Sequence, residues 1–89
     1  MKLKDDYILY NASEEETIAV ATGDEAEKFN GLLRANKTAG AIMELLKEDI
    51  SMDDLVAKMT EKFEATAEEI RDGVSEVLNI LREVGAIDE

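Results

Sequence analysis

FNGLLRANKTAGAIMELL, residues 29–46, holds the change that decides the fold. Phe29 and Leu33 alternate with Asn30 and Leu32, the period-2 pattern of a strand. Gly31 interrupts that pattern, as glycine does at a bulge or a close backbone approach. From Ala39 the period changes. Ala39, Ile42, Met43, Leu45 and Leu46 fall at helical spacing, and Asn36 stands just before them as an N-cap whose side-chain oxygen can accept from a free helix-start N–H. A strand is therefore expected to hand directly to a helix at Asn36. Taken alone, this is an ordinary strand–helix junction in a small α+β domain.

Before this junction two further strands are expected. Tyr7 to Tyr10 is rich in strand formers. NASEE (11–15) reads as a turn, and TIAVAT (17–22) puts Ile18 and Val20 on one face with small residues between them, as in a hairpin partner. Gly23-Asp24 gives a second turn. After the junction the chain is helical. Ser51 opens a second helix with Asp53 and Asp54 in its first turn, where negative charge suits the helix dipole. Its apolar face is Met52, Leu55, Val56, Met59 and Phe63. Thr66 with Glu69 forms a capping box for a third helix, and Gly85 is its natural stop, with Ala86-Ile87 as a short extended tail. The expected elements are strands near 6–10, 16–22 and 27–34 and helices near 37–47, 51–62 and 66–84: a three-stranded antiparallel sheet followed by three helices, in one domain spanning 1–89.

The third helix carries more apolar surface than one small core requires. Ile70, Val74, Val77, Leu81 and Val84 make one stripe, which Leu78 widens on one side and Ile80 on the other. The excess is covered either by the tail or third strand, or by a partner.

Composition narrows the function. The chain has no Cys and no His, so it has no thiolate nucleophile, imidazole base or disulfide. MKLKDDYILY lacks the apolar core of a signal peptide, and no apolar run approaches the ~20 residues that span a bilayer; a cytoplasmic location is expected. The formal net charge of −12 opposes contact with nucleic acid or anionic membrane and favours a partner with a basic face. Acidic neighbours such as Asp53-Asp54 and Glu68-Glu69 sit where solvated charge or caps are expected, no Ca²⁺-loop spacing occurs, and the five glycines are scattered. No catalytic, metal or cofactor site is expected.

The ordered set FNG (29–31), NKTAGAI (36–42), LL (45–46), DDLVAKM (53–59), Phe63, EEIRDGVSEVLNIL (68–81) and GAI (85–87) resembles the PqqD-like family, the recognition elements for ribosomally synthesised and post-translationally modified peptides (RiPPs). The likeness covers nearly the whole chain. It departs at Ala35, where the family has a bulkier apolar residue, and at Met43, near the place where the family often has Trp. The resemblance implies a stand-alone, non-enzymatic module of winged helix-turn-helix type. Such a module captures the leader of a precursor peptide as an added strand and presents it to a modifying enzyme, often a radical S-adenosylmethionine protein. Carried over to this sequence, the template is Phe29, Asn30, Gly31, Leu32, Leu33 and Arg34, and the groove floor comes from Ile70, Val74, Val77, Leu78 and Leu81. The oligomeric state, monomer or homodimer, stays open, because an open edge strand also pairs with its own copy. Two rivals remain: a generic acidic protein-interaction domain, and a winged-helix DNA-binding regulator. The regulator's recognition helix would carry only Arg71 and Arg82 against five acids.

Overall fold

The computed structural model describes residues 1–23 and 32–88. In chain order these hold β1 (Lys2–Leu3), β2 (Tyr7–Asn11), β3 (Glu16–Ala21), β4 (Leu32–Asn36), α1 (Lys37–Leu45), α2 (Met52–Lys62), α3 (Ala67–Glu83) and β5 (Ile87–Asp88). The main sheet is antiparallel, in the order β2-β3-β4, and three helices follow it. The expected third strand at 27–34 is met in part. Its described portion runs on to Asn36, which is at once the last strand residue and the N-cap of α1, and 27–31 lie outside the described residues.

Each helix begins where its capping chemistry is strongest. The side-chain oxygens of Asn36, Ser51 and Thr66 accept from the N–H groups of Ala39, Asp54 and Glu69 at 2.9, 3.1 and 3.2 Å, so each satisfies one of the donors that a helix start leaves open. The third helix ends in a Schellman motif. Gly85 takes φ +72°, Gly85 N–H donates to Arg82 O at 3.1 Å, and Ala86 N–H donates to Leu81 O at 2.8 Å. That turn sends the chain back as β5, which pairs with β1 through Lys2↔Asp88 and Leu3↔Ile87. The tail expected at Ala86-Ile87 is extended, and its partner β1 is two residues long, too short to show a period in the sequence. The Met1 amine meets Asp49 Oδ1 at 2.7 Å, and this hydrogen bond and charge hold the Asp49 carboxyl below its ordinary range.

The core lies between the sheet and the helices. Ile42, Met43 and Leu46 come from the first helix and its end, Leu55, Val56 and Met59 from the second, and Ile70, Val74, Leu78 and Leu81 from the third. Where the sheet faces α1 the inward residues are small: Thr17, Ala19 and Ala21 of β3 and Ala35 of β4 are all buried, while Tyr7 of β2 supplies the bulky inward side chain at the far edge. The larger residues of β3, Ile18 and Val20, face outward and are only half-buried. The cause is the closeness of α1. A Cβ placed on Gly40 would stand 2.8 Å from Thr17 Cβ, inside van der Waals contact, so only a glycine lets the helix lie this near the strand.

Candidate functional site

The backbone direction of each strand residue follows from two hydrogen bonds at the hairpin ends. Thr22 N–H donates to Asp6 O at 2.7 Å, and Ala12 N–H donates to Glu16 O at 3.0 Å. In an antiparallel ladder bonded pairs alternate with unbonded ones. Ile18 and Val20 therefore turn their backbone groups towards β2, while Thr17 and Ala19 turn theirs towards β4. Their opposite numbers on β4 are Ala35 and Leu33. Leu32 and Arg34 are left with N–H and C=O directed at the outer edge of β4, away from β3.

Beside that edge runs a groove of about 310 Å³ between β4, the start of α1 and the flank of α3. Arg34, Asn36, Thr38 and Ala39 line one wall, and Gly73, Glu76, Val77 and Ile80 line the other. Ile80 is 52% exposed, large for an isoleucine, and Leu32 at the edge is 48% exposed. A larger hollow, about 610 Å³, lies near the β2–β3 turn and is bounded by Asn11, Ser13, Glu14, Thr17, Lys37 and Glu44, with only Gly40 and Ala41 as apolar lining. The smaller groove suits an extended chain better. It alone of the two joins an edge strand to branched apolar side chains, which supply the pockets that strand addition uses for selectivity.

Of the residues expected to form the site, Phe29, Asn30 and Gly31 lie outside the described residues. Leu32 and Arg34 sit on the open edge, and Leu33 points inward and packs on the core. Val77 lines the groove. Ile70, Val74, Leu78 and Leu81 lie beneath it as buried core, with Leu81 1% exposed. Gly73, Glu76, Ile80, Thr38 and Ala39 were not among the expected residues. Ile80 carried a signal, since it widened the apolar stripe of α3, but a stripe cannot say which of its margins is roofed. Gly73 carried no signal, because a glycine has no pattern of its own.

The groove is sparsely charged. Glu76 is exposed and makes no ion pair among the described residues. The Arg34 guanidinium reaches Glu16 only at 3.8 Å, while both are well solvated. The other cations of α3 point to other tasks: Arg71 holds Asp53 of α2 at 2.9 Å, and Arg82 donates to Asn79 at 3.3 Å. Among the described residues no cluster of Asp or Glu is placed to hold a metal ion, and no helix is long and apolar enough to cross a membrane.

A three-stranded antiparallel sheet followed by three helices, with the outer edge of β4 unpaired among the described residues beside the groove of α3, puts the chain in the class of small α+β domains. The chain belongs to the family of coenzyme PQQ synthesis protein D (PqqD), whose sequence pattern it matches over residues 9–87. Its fold is similar to a solved structure described as TbiB1 in complex with the TbiA(beta) leader peptide. The TM-score is 0.78, and the match spans 99% of this chain and 95% of that one at 12% identity. At that identity the likeness is one of fold. No curated protein matches the sequence significantly.

Proposed function

We propose that this chain is a peptide chaperone that binds the leader of a ribosomally made precursor peptide by strand addition and presents it to a modifying enzyme. The observation that carries this reading is the open edge of β4, with the backbone groups of Leu32 and Arg34 turned outward beside the groove of α3. Membership of the PqqD family supports it, as does the leader peptide held by the similar TbiB1 fold. Main-chain bonds to the edge give affinity, and the side chains over the helix give selectivity. The proposed template is the stretch Phe29–Arg34, of which Leu32, Leu33 and Arg34 belong to β4. The groove floor is Val77, upheld from below by Ile70, Val74, Leu78 and Leu81. The chain's part is binding, not catalysis, and the peptide passes to a modifying enzyme, which in the family this chain resembles is often a radical S-adenosylmethionine protein.

The test is an amide-shift titration with the leader of the precursor encoded nearest this protein's gene. Shifts are expected at 29–36 and 70–81. Shifts confined to α2 would remove the groove from consideration. Val77→Asp should abolish binding while the far-ultraviolet circular dichroism stays unchanged, because this side chain is only half-buried at the groove wall. Leu81→Asp is unsuitable, since a charge at a fully buried position costs several kcal/mol and unfolds a domain of this size.

A further inference from the structure

Gly73 is the seventh residue of α3, well inside the helix, where glycine disfavours it relative to alanine. Two conditions ordinarily explain such a glycine, and neither holds. Its φ is not positive, and a Cβ built on it would meet nothing within 4 Å. Gly40 differs on this point, because Thr17 crowds it. The open space over Gly73 lies in the wall of the groove beside β4, with Val77 one turn further along the same face and Ala39 among the opposite lining. Glu76 stands next to it, solvated and without an ion pair among the described residues.

We propose that the hollow over Gly73 is the specificity subsite of the groove: it receives one bulky apolar side chain of the captured strand, and Glu76 selects a lysine or arginine two positions away. This rests on the strand-addition reading above. The spacing of two follows from the strand itself, in which only every second side chain faces the helix. The charge preference follows from the carboxylate in the wall and from the −12 field of the whole chain, both of which oppose an acidic residue there. The occupant is thus an extended peptide with a large aliphatic or aromatic residue and a basic residue on one face.

The experiment is a selection from a phage-displayed library of fully randomised twelve-residue peptides, run on the wild-type chain and on Gly73→Ala and Glu76→Lys variants. The best wild-type peptide is then followed by amide-shift titration and by affinity. Wild-type peptides are expected to share a bulky apolar residue and a lysine or arginine two positions apart, and to shift 32–36 and 73–80. Replacing the bulky residue by alanine should weaken binding at least about tenfold, the loss of one buried side chain. Gly73→Ala should raise Tm by roughly 4–8 °C, the gain of a better helix former in open space, yet weaken that peptide about fivefold or more by filling the hollow. Glu76→Lys should remove the basic preference at that one position while leaving the bulky residue selected. Stability and affinity moving in opposite directions at Gly73 is the signature of the subsite. Peptides that bind along β4 and α3 with no such pairing, or a Gly73→Ala variant that binds its peptide undiminished, would overturn the subsite and leave strand capture standing. Selected peptides that leave 32–36 and 73–80 unshifted, or no enrichment at all, would overturn both.

Discussion

Two glycines make opposite demands on the same fold. At Gly40 an added methyl meets Thr17, which is buried and β-branched and whose own Cβ, fixed to the backbone of β3, is part of the clash. Overpacking of this kind costs about 1–3 kcal/mol, against ~1 kcal/mol gained from the better helix former. Gly40→Ala should therefore destabilise the domain by up to about 2 kcal/mol in urea unfolding, and the loss should shrink when Thr17 is first replaced by glycine, which removes the Cβ that the added methyl would meet. Equal effects of Gly40→Ala in the two backgrounds would mean that the contact with Thr17 is not what holds glycine there. Neither glycine's task is legible in the sequence. What a missing Cβ makes room for depends on an element distant in the chain: β3 in one case, the groove beside β4 in the other.

At the scale of elements, the sequence showed more. Asn36, Ser51, Thr66 and Gly85 all do what their positions predict, because caps are local chemistry within one turn of backbone. The pattern TIAVAT separated two faces of β3 correctly but could not say which faced the helices. The close packing of α1 chose Thr17, Ala19 and Ala21 over the larger Ile18 and Val20. The larger residues consequently form outward rows across the sheet, Ile8–Val20–Leu32 and Tyr10–Ile18–Arg34, with Tyr10 57% exposed. For α3 the stripe was legible but not its roofed side, and so four of the five helix residues expected in the groove prove to be core. The alternation along β4 yields a sharp comparison. Leu32→Pro removes an N–H that faces the open edge, so the domain should keep its stability to within about 1 kcal/mol while strand addition fails. Leu33→Pro removes an N–H that faces Ala19 and strands its acceptor, which costs about 1–3 kcal/mol. Thermal unfolding of the two variants checks this. If the proline at Leu32 proves the more damaging to the fold, the assignment of the free edge is reversed.

Across the whole molecule, charge separates the peptide reading from the winged-helix regulator. A winged-helix regulator would place one helix against a duplex, and α3 is the candidate. Its cations do not serve that purpose: Arg71 is engaged by Asp53, Arg82 by Asn79, and Glu68, Glu69, Asp72, Glu76 and Glu83 share the helix with them. Duplex binding draws its affinity from neutralised phosphates and released counterions, each requiring a lysine or arginine brought to the backbone. With 10 basic residues against 22 acidic ones, the long-range field repels the duplex before any contact forms. Screening shortens that repulsion to about 8 Å at physiological ionic strength but supplies no attraction in its place. Fluorescence anisotropy with a labelled duplex of about thirty base pairs should therefore show no binding at micromolar protein in 150 mM salt, and lowering the salt should not produce any. A basic peptide selected on the groove should respond in the opposite way and bind more tightly as the salt falls. Sub-micromolar duplex binding that weakens steeply with added salt would revive the regulator, because that slope counts phosphate contacts, for which neither Arg71 nor Arg82 of α3 is placed.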